Sequence, residues 1–273
     1  ATLTASTVSY QGERVDRSDQ WPNNWATLQS TDSEKKGFIQ EVRMASQLEG
    51  ALQFVAGLYY EDFDYDTVVE WNWRGSQASF DALPFGTDTR FLLFNQDKSV
   101  EQQAIFGELT YSLNEQWAAT FGGRWFDYER RDINYSIPGA QVAGNPLSPS
   151  DFPTDEQGTA LKVNVGYTPN DDALIYAQWS QGFRLGFGQP LPSAALCDVD
   201  GDGILDTTNA PLDSGVDSDS TNNLELGAKF NLLQNRLALN AALYRIDWKD
   251  IPVRVTETSD DCPGFNSIQV NQG

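Results

Sequence analysis

The sequence predicts an all-β protein, and within that class an antiparallel up-and-down transmembrane β-barrel with long extracellular loops. Three observations support this prediction. Apolar and polar residues alternate along many short segments, and these segments are joined by short turns and long polar connections in strict alternation. The 15 Phe, 10 Tyr and 8 Trp of the chain also favour strands over helices. We expect about nine strands and the start of a tenth, as part of a larger barrel.

The alternation has the two-residue period of a β-strand. In residues 159–167, Lys162 and Asn164 fall on one face and the apolar side chains fall on the other. The apolar members are Leu161, Val163, Val165 and Tyr167. The chain contains no run of about 18 apolar residues, which excludes a transmembrane helix, whereas a membrane strand needs only about 9 to 11 residues with one apolar face.

The connections between the predicted strands have two lengths. Tight turns are predicted at residues 49–50, 114–116, 169–172 and 233–235. Long polar loops are predicted at residues 11–36, 66–98, 130–157, 184–220 and 250–266. Five loops of this length are uncommon in a compact soluble domain. They are typical of an outer-membrane barrel, in which the periplasmic turns are short and the outer loops are long.

Composition limits the classes of function. The chain has 18 Lys and Arg against 39 Asp and Glu, and this net charge of −21 argues against nucleic acid as a partner. It has no His, so a Ser or Cys catalytic triad of the usual kind cannot form, and we expect no enzyme activity. Because both ends of the sequence are strand-like, we also expect it to be part of a longer polypeptide.

One segment has a specific resemblance. Residues 174–188, LIYAQWSQGFRLGFG, resemble the Tyr-Ala-x-x-Ser-x-Gly-Phe-Arg-x-Gly strand end of TonB-dependent outer-membrane receptors. The matching residues are Tyr176, Ala177, Ser180, Gly182, Phe183, Arg184 and Gly186. Other segments agree in order along the chain, from FIQEVRMAS through NNLELGAKFNLLQNRLALNAALYRIDWKDI to VNQG. The resemblance therefore identifies residues 1–273 as part of such a receptor barrel.

The resemblance implies a location in the outer membrane of a Gram-negative bacterium and a role in uptake. Receptors of this family bind a scarce nutrient, most often a ferric siderophore, and pass it inward when the TonB complex acts on a plug domain that is not in these residues. Position alone makes a set of residues candidates for ligand binding: Arg184, Phe183, Phe187, Trp71, Trp73 and Arg90. The alternative for Arg184 is an ion pair with a carboxylate on a neighbouring strand.

The outer loop predicted at residues 184–220 contains the aspartate-rich sequence CDVDGDGILD. Four aspartates occupy positions 1, 3, 5 and 9 of a calcium loop, and Ile204 at the seventh position can offer its carbonyl oxygen. The aspartates are Asp198, Asp200, Asp202 and Asp206. Asn209 replaces the usual Glu at position 12, and the loop resembles those of thrombospondin type 3 and dockerin repeats. We expect a structural Ca²⁺, with a solvated acidic turn as the alternative.

The two cysteines lie in two successive predicted outer loops. Cys197 directly precedes the aspartates, and Cys262 lies in the next predicted outer loop. Because the cell exterior permits disulfides, we expect these two residues to be bonded, with two free thiols as the alternative.

Two other functions fit parts of the sequence. A passive porin shares the barrel and works without TonB. A secreted, calcium-stabilised β-protein that binds carbohydrate shares the strands and the aspartate loop.

Overall fold

The structure is a computed structural model, and it describes residues 1–19, 27–73, 90–138, 150–191, 197–206, 208–257 and 266–272. The described part is built almost entirely of β-strands. They are β1 (Thr2–Asp19), β2 (Thr27–Ala45), β3 (Leu52–Trp73), β4 (Arg90–Ser112), β5 (Trp117–Pro138), β6 (Ser150–Asn170), β7 (Ala173–Arg184), β8 (Phe187–Gly188), β9 (Gly215–Val216), β10 (Asp219–Leu232), β11 (Leu237–Lys249), β12 (Ile251–Glu257) and β13 (Asn266–Gln272).

Nine of these strands form one antiparallel sheet in the order β1-β2-β3-β4-β5-β6-β7-β10-β11. Each strand pairs with its neighbour in sequence, apart from the small β8–β9 pair between β7 and β10, so the predicted up-and-down topology is confirmed. Within the described residues the sheet is open, with β1 and β11 at its edges. No helix in the described ranges is long and apolar enough to cross a membrane.

The four predicted tight turns are also confirmed. They connect β2 to β3, β4 to β5, β6 to β7 and β10 to β11. The last turn places Leu233, Gln234 and Asn235 at φ of 53°, 57° and 63°, and Gly50 in the first turn has φ of 134°. Such positive φ values let the chain reverse within a few residues.

One face of the sheet carries a continuous apolar belt. A single row of directly paired residues crosses six strands: Phe54, Leu109, Phe121, Val163, Trp179 and Leu224. These side chains are not covered by other parts of the protein, since Phe121 is 56% exposed and Leu224 is 58% exposed. An exposed apolar surface of this extent is suited to the hydrocarbon of a membrane.

The predicted boundaries of four long loops were wrong. Residues assigned to the loops at 11–36, 66–98 and 130–157 instead continue strands of the sheet for much of their length, and residues 251–257 of the loop at 250–266 form β12. Beyond the apolar belt, neither face of the sheet is in lipid, so the side chains no longer need to alternate. The backbone pairing continues nevertheless, as at Tyr65 opposite Lys98. Hydropathy therefore marks the membrane-facing part of each strand and not its end.

The opposite, inner face has close contacts between glycines and aromatic rings. A Cβ added at Gly158 would lie 2.5 Å from the ring of Phe126 on the paired strand. The same arrangement joins three other directly paired residues: Tyr10 with Gly37, Phe106 with Gly57, and Tyr176 with Gly227. Each ring therefore lies flat against the wall at a position where only glycine leaves room.

Part of the chain folds back over this inner face. We call residues 185–191, 197–206 and 208–218 the inward segment; they include β8 and β9, and β8 packs against β5 and β6. A first cluster of buried side chains lies at the start of this segment, where Ala104, Phe126 and Tyr128 of the wall meet Phe183 and Leu185. A second cluster joins the aspartate loop to β13: Cys197, Leu205, Ala210, Ile268 and Val270.

The β12–β13 hairpin completes this cover. Asp250, which has φ of 56°, separates β11 from β12. The predicted start of a tenth strand is present as β13, but it pairs with β12, outside the nine-stranded sheet. Gln269 of β13 lies against the inward segment, with its backbone N–H donating to Gln189 Oε1 at 2.7 Å.

The apolar belt predicts the effect of a charge on the lipid-facing side. Leu226 of β10 is 56% exposed and lies between Ala177 and Leu243 in the sheet. Leu226→Arg should destabilise the protein in lipid vesicles by about 2 to 4 kcal/mol, measured by urea unfolding. Gln178→Arg on the inner face, opposite Glu225, is the control and should change stability by less than about 1 kcal/mol. Equal losses in the two variants would contradict the assignment of the faces.

Candidate functional site

A cavity of about 260 Å³ lies between the inner face of the sheet and the inward segment. Lys98 of β4 and Arg130 and Asp132 of β5 line it from the wall. Phe187 and Gln189 line it from the inward segment, and Arg254 and Gln269 line it from the β12–β13 hairpin. We call this space the inner cavity. It is the place where the sheet, the inward segment and the hairpin meet.

Asp132 organises the charges of the inner cavity. Its side chain is 1% exposed, and it accepts hydrogen bonds from Arg130 Nε at 2.8 Å and Nη2 at 3.1 Å. Its Oδ2 also accepts the backbone N–H of Gly188 at 3.3 Å, which ties the inward segment to the wall. The Lys98 ammonium is 4.0 Å from Asp132 Oδ1. Burial of Lys98, outward of the apolar belt, lowers the pKa of its ammonium, and the Asp132 charge opposes this shift.

Phe187, one of the ligand-binding candidates from the sequence, lines the inner cavity. Its ring lies 5.3 Å from the Arg130 guanidinium carbon, in a cation–π contact. Two residues later, Gln189 Nε2 donates to the carbonyl oxygen of Gln269 at 2.6 Å. Together with the return bond to Gln189 Oε1, this contact joins the inward segment to the hairpin.

Arg184 forms the ion pair that the sequence left as its alternative. Its guanidinium binds Asp219, the directly opposite residue on β10, with Nε donating to Oδ2 at 2.8 Å. Trp248 Nε1 donates to the same oxygen at 2.9 Å, and the Arg184 guanidinium lies 4.8 Å from the Trp248 ring. The hydrogen bonds from Arg184 lower the pKa of Asp219, against the effect of burial. Since 60% of the Arg184 side chain remains exposed, a ligand can still contact it.

Phe183 and its surroundings hold the inward segment in place. Its ring stacks on Phe126 with the two centroids 3.8 Å apart and the planes 12° from parallel. Next to it, the hydroxyl of Tyr128 donates to Glu156 Oε2 at 2.9 Å and accepts the backbone N–H of Gly186 at 2.8 Å. Ser218 donates to the same Glu156 oxygen. Phe183 is therefore a packing residue, and Tyr128 is the residue that ties both ends of the inward segment to the wall.

The remaining three candidates lie elsewhere on the sheet. Trp71 is near the outer end of β3, opposite Leu92, and β3 is four strands from β7. Trp73 and Arg90 belong to the ends of β3 and β4, and their side chains lie outside the described residues. Phe187 thus belongs to the inward segment and Arg184 directly precedes it, whereas Trp71 lies four strands away from β7.

The aspartate loop gathers three of its four predicted carboxylates. Asp198, Asp200 and Asp206 have oxygen atoms within 4.8 Å of one another. Asp198 is 8% exposed and accepts the backbone N–H groups of Asp202 and Gly203 at 3.0 and 3.1 Å. The Asp202 carboxylate is not in this group and accepts the N–H of Ile204 at 2.8 Å. Gly201 and Gly203 take φ of 72° and 82°, which the tight loop requires.

Cys197 is disulfide-bonded, and the described residues contain no free cysteine. Cys262, the only other cysteine in the sequence, lies outside the described residues, so its pairing with Cys197 stays a prediction.

Sequence reasoning missed most of the residues that line the inner cavity. The alternation on β4 and β5 gave a signal for Lys98 and Arg130, because both share the inner face with Arg124 and Tyr128. No sequence pattern indicated that residues 187–189 and 269 would close over them.

The chain is similar in sequence to known proteins of one family. A family model described as "TonB dependent receptor-like, beta-barrel" matches residues 1–273. The chain is 24% identical over 154 residues to the probable TonB-dependent receptor BfrD of Bordetella pertussis. This match covers 56% of the chain and 19% of that protein. It is 23% identical over 168 residues to the probable TonB-dependent siderophore receptor PiuA of Acinetobacter baumannii. This match covers 60% of the chain and 20% of that protein.

A solved structure has the same fold. The ferric yersiniabactin uptake receptor FyuA from Yersinia pestis matches with a TM-score of 0.70 and 15% identity, over 92% of the chain and 34% of that receptor. The chain therefore spans about a fifth of the curated relatives and about a third of the solved receptor.

The Tyr128 hydrogen bonds predict a measurable loosening when they are removed. Tyr128→Phe should destabilise the attachment of the inward segment by about 1 to 2 kcal/mol, because Glu156 and Gly186 lose a buried partner. Limited proteolysis should then cut residues 197–218 several-fold faster than in the wild type. Tyr244→Phe, at a tyrosine that is 65% exposed, is the matched control and should leave the cleavage rate unchanged. Equal rates in all three proteins would contradict the role of Tyr128.

Proposed function

Because the chain belongs to the TonB-dependent receptor family through its β-barrel domain, we propose that it forms the wall of a receptor that takes up a ferric siderophore. The family comprises receptors and transporters of the Gram-negative outer membrane, and the chain is an outer-membrane protein. The similarity of the chain to a probable siderophore receptor, PiuA, and to a ferric yersiniabactin uptake receptor, FyuA, supports iron as the cargo.

The single observation that carries the proposal is the covered inner cavity. A receptor needs a site that is closed and chemically specific, whereas a passive pore needs an open polar channel. Here the inward segment and the β12–β13 hairpin lie across the outer part of the wall, held by Asp132, Tyr128 and Gln269. Cations and aromatic rings at the cavity are suited to binding an iron chelate through charge and stacking.

Energy coupling is the second part of the proposal. In our interpretation the TonB complex acts on a plug domain inside the barrel, and the wall described here supplies the outer contacts to the cargo. This division of roles makes transport dependent on TonB, while binding at the cell surface is not.

The test of the proposed function is uptake by the native bacterium. Deletion of the gene for the complete receptor should abolish growth on at least one ferric siderophore under iron starvation, and expression should rise when iron is scarce. Removal of TonB should abolish uptake and leave surface binding intact. Uptake that persists without TonB would identify a passive porin instead, and an unchanged deletion strain on all chelates would contradict iron uptake.

We further propose that the aspartate loop binds Ca²⁺ as a structural ion. The donor set fits a hard cation, since Asp198, Asp200 and Asp206 converge and all their donors are oxygens. Binding would stiffen a loop whose Leu205 and Ala210 already pack against β13. The ion would then also stabilise the inward segment and the β12–β13 hairpin, which cover the inner cavity.

Calorimetric titration checks this proposal. Asp200→Asn removes one convergent charge and should weaken Ca²⁺ binding by about tenfold or more. Asp155→Asn, at an exposed aspartate of β6 outside the loop, is the control and should bind as the wild type does. Absence of a binding signal at millimolar Ca²⁺ in the wild type would exclude the ion.

A further inference from the structure

The outward part of β6 has a free edge. On one side β6 pairs with β5 over residues 150–167, whereas on the other side β7 pairs with it only between Lys162 and Asn170. From Gln181 onward β7 leaves β6 and pairs with β10 alone. Among the described residues, no strand is paired with residues 150–161 of β6 on the side away from β5.

We propose that this edge binds an extended, positively charged peptide segment of another molecule as an additional antiparallel strand. Strand addition to an exposed edge is a general mode of peptide binding, in which main-chain hydrogen bonds give affinity and side chains give specificity. The edge is a surface outside the inner cavity, and the proposed partner is separate from the cargo.

One contact shows which backbone groups point to the free edge. The backbone N–H of Leu161 donates to the side-chain Oε1 of Gln181 on β7 at 3.2 Å, so Leu161 directs its N–H away from β5. Because backbone groups alternate in direction along a strand, Asp155, Gln157 and Thr159 direct their N–H and C=O groups to the same side. These groups form the hydrogen-bonding row for an added strand.

Pro153 agrees with this alternation. It lies two residues before Asp155 and therefore at a position that faces the edge, where its missing N–H removes no hydrogen bond to β5. A proline on an edge strand limits the addition of further strands. The row available to a partner thus extends from Asp155 to Thr159.

The two faces of this edge differ in the space that they leave. On the inner face, the Glu156 carboxylate is bonded to Tyr128, and β8 of the inward segment packs against β6. Small side chains of an added strand are suited to this covered face. On the other face, which it shares with the apolar belt, the side chains of Asp155 and Gln157 are exposed. Long side chains are accommodated there.

The charge of the open face favours a cationic strand. Asp62, Glu101, Glu129 and Asp155 are directly paired across β3, β4, β5 and β6, and all four are exposed. They line one groove of about 650 Å³ beside the edge. Like charges in directly opposite positions destabilise a sheet. A lysine opposite Asp155 on an added strand would relieve this repulsion.

The cations of the groove are bound to other carboxylates. Arg130 binds Asp132, and Arg131 binds Asp151. The acidic row therefore keeps its excess of negative charge. A second copy of this protein is a poor occupant of the edge, because pairing two such edges would bring their carboxylates together.

The experiment uses the complete receptor, purified and folded in neutral detergent, with four fluorescent seven-residue peptides as probes. The first alternates Lys and Thr, and the second has Glu in place of every Lys. The third and fourth repeat the Lys–Thr sequence with backbone N-methyl groups on every Lys or on every Thr. In an antiparallel pair, a Lys directly opposite Asp155 directs its N–H to β6, whereas the N–H groups of the Thr residues point away.

Fluorescence anisotropy measures the affinity of each peptide. The Lys–Thr peptide should bind at least about tenfold more tightly than the Glu–Thr peptide. Methylation on Lys should weaken binding by at least about fivefold, and methylation on Thr by less than about twofold. The two methylated peptides have the same charge, so only strand pairing distinguishes them.

Two variants locate the binding site. Gln157→Pro removes one N–H that faces the edge and leaves the hydrogen bonds to β5, so the affinity for the Lys–Thr peptide should fall by at least about threefold. Glu129→Gln with Asp155→Asn removes two charges of the acidic row and should lower the affinity by about tenfold.

A matched control removes the same two types of carboxylate elsewhere. Glu13→Gln with Asp32→Asn changes exposed residues of β1 and β2, which are at least four strands from β6. This control should bind the Lys–Thr peptide as the wild type does. A heat-dependent shift in gel mobility verifies that every variant retains its folded barrel.

Several outcomes would overturn the inference. Equal binding of the two methylated peptides would mean that charge alone attracts them, and equal binding of the Lys and Glu peptides would exclude a cationic partner. Wild-type affinity in Gln157→Pro would exclude the edge of β6. A receptor dimer in sedimentation that Gln157→Pro dissociates would identify a second copy as the occupant. None of these results affects siderophore uptake, so the proposed function is tested separately.

Discussion

Backbone pairing between neighbouring strands is the constraint on which the rest of the structure depends. In hydrocarbon, an unpaired N–H or C=O group costs several kcal/mol, so each strand must pair along its whole membrane span. The pairing fixes the register, and a slip of one residue would move Phe121 and Val163 from the lipid side to the inner side. The apolar belt and the polar inner face are therefore two results of one set of hydrogen bonds.

The inward segment depends on that register in turn. Tyr128 and Asp132 of β5 lie on the inner face because β5 is held in register by its partner strands β4 and β6. Each then receives a backbone N–H from the inward segment, at Gly186 and Gly188 respectively. These two buried acceptors, four residues apart on β5, thus fix the position of the inward segment. The segment covers the cationic side chains that lie near them.

Most of the sheet could be predicted from the sequence, and most of the site could not. The two-residue alternation and the tight turns are local signals, and they predicted the nine strands, their order and the lipid-facing residues such as Leu161 and Val165. The outer ends of the strands carry no such signal, since both of their faces are polar, and residues there were assigned to loops. The inner cavity depends on contacts between residues far apart in the chain, such as Gln189 and Gln269, which are 80 positions apart. Arg184 illustrates the limit, because the sequence left open a ligand contact or an ion pair with a neighbouring strand, and only the fold shows that the carboxylate is Asp219.

The flat aromatic rings of the inner face have a geometric consequence. A ring that stands upright on a wall occupies several ångströms of the lumen, whereas the rings of Phe126, Phe106 and Tyr176 lie over glycines of the paired strands. At these levels the free width on the inner side of the wall is then set by the backbone and by the thickness of one ring. A barrel wall built in this way gains inner width without an added strand, and the width is lost wherever one of these glycines acquires a side chain.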